Sequence, residues 1–173
     1  MDETRDLGVG GRAVTRTASV EDRRRVAEAL ELLACDSMVF DYTIKAIADG
    51  RYRIKGRLKA DVTQDCVVSL DPVAETIDEG VSVDFWPEHL LAEHLADGER
   101  SILGETDPEP IGPMGRIESG RIAFEFLSAA LDPYPRKEGA EFQYGGTPED
   151  IAAEASAHPF AALAKLKRKN PEG

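Results

Sequence analysis

Residues 38–62 read MVFDYTIKAIADGRYRIKGRLKADV, and the spacing within them decides the fold. Before Asp49-Gly50, the residues Met38, Phe40, Tyr42, Ile44 and Ala46 share one parity, while Asp41, Thr43 and Lys45 share the other. After it, Tyr52, Ile54, Leu58, Ala60 and Val62 keep the even parity. Arg51, Arg53, Lys55, Arg57 and Lys59 take the odd one. Alternation of this kind is the pattern of a half-buried strand. An Asp-Gly pair between two such runs is a strong hairpin signal. Gly56 interrupts the second run and is read as a bulge.

Working outward, Val67, Val68 and Leu70 are read as a short third strand ended by Asp71-Pro72. Ile77, Val81, Val83 and Phe85 form a fourth on odd parity. Short turns make this an antiparallel meander with one apolar face, which needs a cover. Upstream, Ser19 precedes Glu21, Asp22 and the stripe Val26, Leu30, Leu33, which predicts a capped helix over 20–34 as that cover. Residues 1–18 lack apolar periodicity and carry Gly8, Gly10 and Gly11, so they read as an extended or flexible arm. Downstream, Pro87 opens a short helix. The stretch 98–116, with Pro108, Pro110 and Pro113, reads as a mobile acidic loop. Ile117 starts a short strand, and a helix carrying Ile122, Phe126, Leu127 and Leu131 runs up to Pro133. Thr147-Pro148-Glu149-Asp150 starts a further helix to about Ala157, and Pro159 opens the last one. The fold class is therefore α+β: an antiparallel β-meander of four to five strands covered by helices, with a C-terminal amphipathic basic helix. Residues 19–157 form one domain and 158–173 a basic tail.

The chain has 173 residues, 33 acids against 21 Lys and Arg, and a net charge of −12. A chain this long buries about 70% of its unfolded surface, so it needs neither disulfide nor metal to fold. Cys35 and Cys66 are too few for a disulfide framework. The opening MDETRDLGVGG offers no apolar signal segment, and no apolar run approaches the length of a membrane span. A cytoplasmic protein without membrane contact is expected. The charge is uneven: residues 64–119 hold 14 acids and 2 bases, whereas 38–63 hold 3 acids and 6 bases. An acidic whole repels phosphate at long range. Screening confines charge effects to about 8–10 Å, so local basic islands remain usable.

The odd-parity run Arg51, Arg53, Lys55, Arg57, Lys59 projects five cations from one face at about 6.6–6.8 Å intervals, close to the phosphate spacing of a nucleic-acid strand. A solvated face cross-paired with Asp41, Asp78 and Asp84 is the competing reading. No exposed aromatics interleave the cations, so base stacking is not implied. The last helix, HPFAALAKLKRKN, sets Phe160, Leu163 and Leu166 against Lys165, Lys167, Arg168 and Lys169. It suits a partner groove with RNA contact along its basic side. Cys66 reads as a small buried apolar residue. His89 and His94, five apart, do not form the i, i+4 metal pair, so neither metal nor cofactor is expected. No phosphate loop, nucleophile elbow or isolated acid pair is present, which points to a binding protein rather than an enzyme.

Three stretches together resemble the YceD family, the large ribosomal RNA subunit accumulation proteins: GRLKADVTQDCVVSLDPV at 56–73, RIAFEFLSAALDPYPRKEGAEF at 121–142 and HPFAALAKLKRK at 158–169. Some family members carry a second cysteine three residues after the first. Ser69 holds that place here, so metal binding is not carried over. The resemblance implies an accessory role in large-subunit biogenesis, through large-subunit rRNA or a pre-ribosomal particle. An acidic chaperone for a basic ribosomal protein is the alternative, resting on the 64–119 segment.

Overall fold

The computed structural model describes residues 2–3, 10–96 and 107–141. Met1–Ala140 forms one compact unit and Glu141–Gly173 a second. The helices expected at 147–157 and 158–169, with Phe160, Leu163, Leu166, Lys165, Lys167, Arg168 and Lys169, lie outside the described residues.

The first unit is an α+β fold. Its strands are β1 (Asp2–Glu3), β2 (Arg12–Thr17), β3 (Ala34–Ala46), β4 (Tyr52–Asp65), β5 (Pro72–Trp86), β6 (Glu109–Pro110) and β7 (Arg116–Ile117). Its helices are α1 (Val20–Ala29), α2 (Glu88–Ala96) and α3 (Ser119–Ala130). The main sheet runs β2-β3-β4-β5-β6 and is antiparallel except for the two-residue parallel pairing of β6 with β5. β1 pairs with β7.

The core face takes even positions from β3 and β4 and odd positions from β5. Phe40, Tyr42, Ile44, Ile54, Leu58, Val62, Ile77, Val81, Val83 and Phe85 are all buried. Phe40 and Tyr42 stack with ring centroids 4.5 Å apart. The hairpin turns where Asp-Gly signals it: Asp49 and Gly50 take φ of 60° and 71°, and the Ile47 N–H donates to Arg51 O.

Four readings are corrected. Residues 12–17 are not part of a loose arm but an edge strand, pairing Val14 with Tyr42 and Arg16 with Phe40. With only Ala13 and Val14 apolar, RAVTRT carries almost no hydrophobic period, which edge strands do not need. Gly56 is not a bulge, because register runs unbroken through Tyr42↔Gly56↔Val81; the shift lies at Cys35/Ser37. A Cβ at Gly56 would clash with Asp41 O and lie 2.5 Å from Tyr42 Cβ, so the glycine admits a close approach of strands. Val67–Leu70 is a turn, not a strand: the Leu70 N–H donates to Cys66 O, and Leu70 takes φ 60°. The apolar residues there are half-exposed or exposed.

Fourth, the 20–34 helix ends at Ala29 and is not the principal cover. Ser19 caps it in a reciprocal capping box with Asp22. Glu31 adopts φ 54°, and the Leu32 N–H returns to Ala27 O at 2.8 Å, a Schellman closure that starts β3 early. No residue of α1 is buried. The buried Ile122, Ala123 and Leu127 of α3, with Ile117 beside them, close the core over β4 and β5, while Val26, Ala27 and Leu30 pack at its margin.

Candidate nucleic-acid interface

The exposed face takes odd positions from β3 and β4 and even positions from β5, and the register fixes its rows. Lys45 lies opposite Arg53 and Asp84, and Thr43 opposite Lys55 and Ser82. Asp41 lies opposite Arg57 and Gly80, and Val39 opposite Lys59 and Asp78. Arg53, Lys55, Arg57 and Lys59 therefore do share one exposed face.

The cations differ in what they touch. Arg53 holds Asp84 bidentately, Nε and Nη2 donating at 2.5 and 2.7 Å. Arg57 reaches diagonally past Gly80 to Asp78. That hydrogen bond, with the nearby charges of Arg57 and Lys59, lowers the Asp78 carboxyl below its ordinary range. Arg51 lies before β4 and leaves the row: Nη2 donates to Asp49 at 2.8 Å, and its guanidinium lies 5.0 Å over the Trp86 ring. The cross-paired reading thus describes Arg53 and Arg57. It does not describe the lysines. Among the described residues Lys45, Lys55 and Lys59 form no ion pair. Of the face's acids, Asp41 accepts from Thr15 Oγ1 at 2.5 Å, and Asp61 accepts from Ser37 and Thr76 at 2.7 and 2.9 Å.

Lys45 was absent from the cation series read off the sequence, because that series followed one strand. Its parity was visible. Its partner across the hairpin depends on loop geometry, which sets register.

Cys66 is buried as its sequence reading has it, and it also makes polar contacts that reading does not include. The side chain is fully buried. Its Sγ accepts backbone N–H groups of Lys137 at 3.3 Å and of Val68 and Ser69 at 3.4 Å. These donors, Lys137 first, together with a hydrogen bond from the Ser69 side chain, bring the thiol down to about 6 against the opposing effect of burial. The same turn is stitched to the segment after α3: the Val67 N–H donates to Pro135 O, Lys137 Nζ to Asp71, and Gln64 Nε2 to Asp132 O. The sulfur is enclosed, so it serves as an acceptor joining two loops. Cys35 is pushed the other way, its thiol raised by burial. Among the described residues no group of three or more His, Cys, Asp and Glu could hold a metal.

No protein-family model, curated protein or solved structure matches the chain.

Proposed function

We propose that this protein is a non-enzymatic accessory factor in large ribosomal subunit biogenesis. It acts in the cytoplasm and binds large-subunit rRNA or pre-ribosomal particles through the outer sheet face. Support comes from the likeness of 56–73, 121–142 and 158–169 to the YceD family. It comes also from one observation: lysines with no ion-pair partner among the described residues gather on an exposed sheet face of a chain whose net charge is −12. No helix among the described residues is long and apolar enough to cross a membrane.

The test is binding of purified protein to large-subunit rRNA fragments across a salt series. Affinity falling log-linearly with salt supports the reading, as phosphate neutralisation requires. No binding to either rRNA or precursor particles overturns it. RNA cut during incubation overturns the non-enzymatic part.

A second reading has its own observation. Among the described residues the outer edge of β5 is unpaired between Val73 and Asp84, and this stretch carries Glu75, Asp78, Glu79 and Asp84. An acidic strand edge suits an extended basic segment of a ribosomal protein. Binding to such a protein alone, without RNA, favours this reading.

A further inference from the structure

Lys45, Arg53, Lys55 and Thr43 form a two-by-two block on the outer face: Lys45 stands directly across from Arg53, and Thr43 from Lys55. Between them lies a shallow hollow of about 430 Å³, completed by Ala46 and Ile47 at the strand end. No acid lines it. The nearest acid across the strands, Asp84, is engaged by the bidentate bonds from Arg53. Asp41, the next outward residue on β3, accepts from Thr15 on the far side. Two ammonium groups without ion-pair partners among the described residues therefore face one concavity.

Gly11, outside the lining, backs one of the hollow's side chains. Gly11 enters β2 with φ +73°, and a Cβ there would lie 2.7 Å from Lys45 Cγ and 2.9 Å from Ile44 O. The bare backbone thus lies against the Lys45 stem and limits its excursion. On the other side Ile47 leaves apolar surface at the rim, 42% exposed. Cationic walls, one hydroxyl and an apolar rim suit a phosphate with a ribose or base beside it.

We propose that this hollow seats a phosphodiester of single-stranded RNA, held by Lys45, Lys55 and the Thr43 hydroxyl. The inference rests on the RNA-binding reading and refines it. The anchoring cations are the lysines on two neighbouring strands rather than the arginines of one.

The experiment uses the full chain and a fluorescent 12-nucleotide oligouridylate. Three proteins are compared: wild type, Lys45→Gln with Lys55→Gln, and Arg53→Gln with Arg57→Gln. Each is first checked for unchanged circular dichroism. The lysine pair is expected to lose roughly 10-fold or more in affinity near 0.1 M salt, and its log–log salt slope to fall by about 0.7, one single-strand phosphate contact. The arginine pair is expected to lose less. If the lysine variant binds as wild type while the arginine variant loses binding, the hollow is not the site and the RNA reading stands. If wild type binds neither this oligomer nor rRNA, both fail. Uridine 5′-monophosphate competing at concentrations similar to the oligomer would make the hollow a small-nucleotide site and overturn the backbone assignment.

Discussion

Cys66 carries a pH dependence that follows from its surroundings. Hydrogen bonds to Sγ, first from the Lys137 N–H, then from the Ser69 side chain and the Ser69 and Val68 N–H groups, bring the thiol down to about 6, against an ordinary value of 9.0. A group with a depressed native pKa contributes stability that is full above its unfolded pKa and is lost as pH falls through the native one. Between pH 6 and 9 the unfolded chain binds the proton and the native chain does not, so the Cys66 contribution rises with pH. Denaturant unfolding at pH 6 and pH 8.5 should show wild type gaining stability relative to Cys66→Ala over that interval. An equal pH response in both proteins would show that the sulfur is not held as a thiolate. Gly56 makes a separate prediction. A methyl group there meets the Asp41 carbonyl and the Tyr42 side chain. Gly56→Ala should therefore destabilise by about 1–3 kcal/mol or more through forced strand separation. A Cm within error of wild type would mean that the strands part freely. Neither role was legible in the sequence. A lone cysteine and a mid-strand glycine reveal their neighbours only when Lys137 and Asp41 are brought to them by chain that lies outside their own segments.

The elements divide by how much of their signal is local. β3, β4 and the second half of β5 announce themselves because each buries one face, and burial writes alternation into the sequence. β2 buries little, so its sequence has no period to read, and it is placed by pairing with β3. The Val67–Leu70 turn misleads in the opposite way, with β-prone residues standing where the chain reverses between β4 and β5. The rank of the two covering helices was likewise invisible, since both are amphipathic and only the tertiary fold decides which lies over the sheet centre. That rank is testable. Leu127 of α3 is fully buried, whereas Val26 of α1 is only partly so. Leu127→Ala should cost about 2–5 kcal/mol, and Val26→Ala clearly less. Chemical denaturation with matched m-values decides, and a larger loss at Val26 would restore α1 as the principal cover. The candidate site splits the same way. The single-strand row Arg53, Lys55, Arg57, Lys59 was readable from parity. Lys45 joins it only through the hairpin register, and the arginine–aspartate pairing only through the alignment of β4 with β5.

At the scale of the whole molecule, a large negative net charge works against a set of contact pairs of opposite charge. The net charge is −12, with 14 acids against 2 bases in 64–119. Self-repulsion of that kind acts over tens of ångströms and works against the compact state. The compensating pairs are local: Arg53–Asp84 closes at 2.5 Å and Arg121–Glu125 at 2.6 Å. Raising salt from 0.01 to 0.15 M shortens the screening length from about 30 Å to about 8 Å. Long-range repulsion is then largely removed, while contact pairs, well inside the shorter length, lose much less. Tm should therefore rise with salt over this range, by about 2–4 °C for each kcal/mol of repulsion relieved. Arg53→Gln with Arg57→Gln deepens the negative charge by two and removes two contact pairs, so its rise should be steeper from a lower start. RNA affinity should move the opposite way over the same series, because counterion release weakens as salt increases. Opposite signs in one titration separate a binding loss caused by screening from one caused by unfolding. A Tm that falls as salt rises would show that contact pairs, not net charge, dominate the electrostatics of this fold.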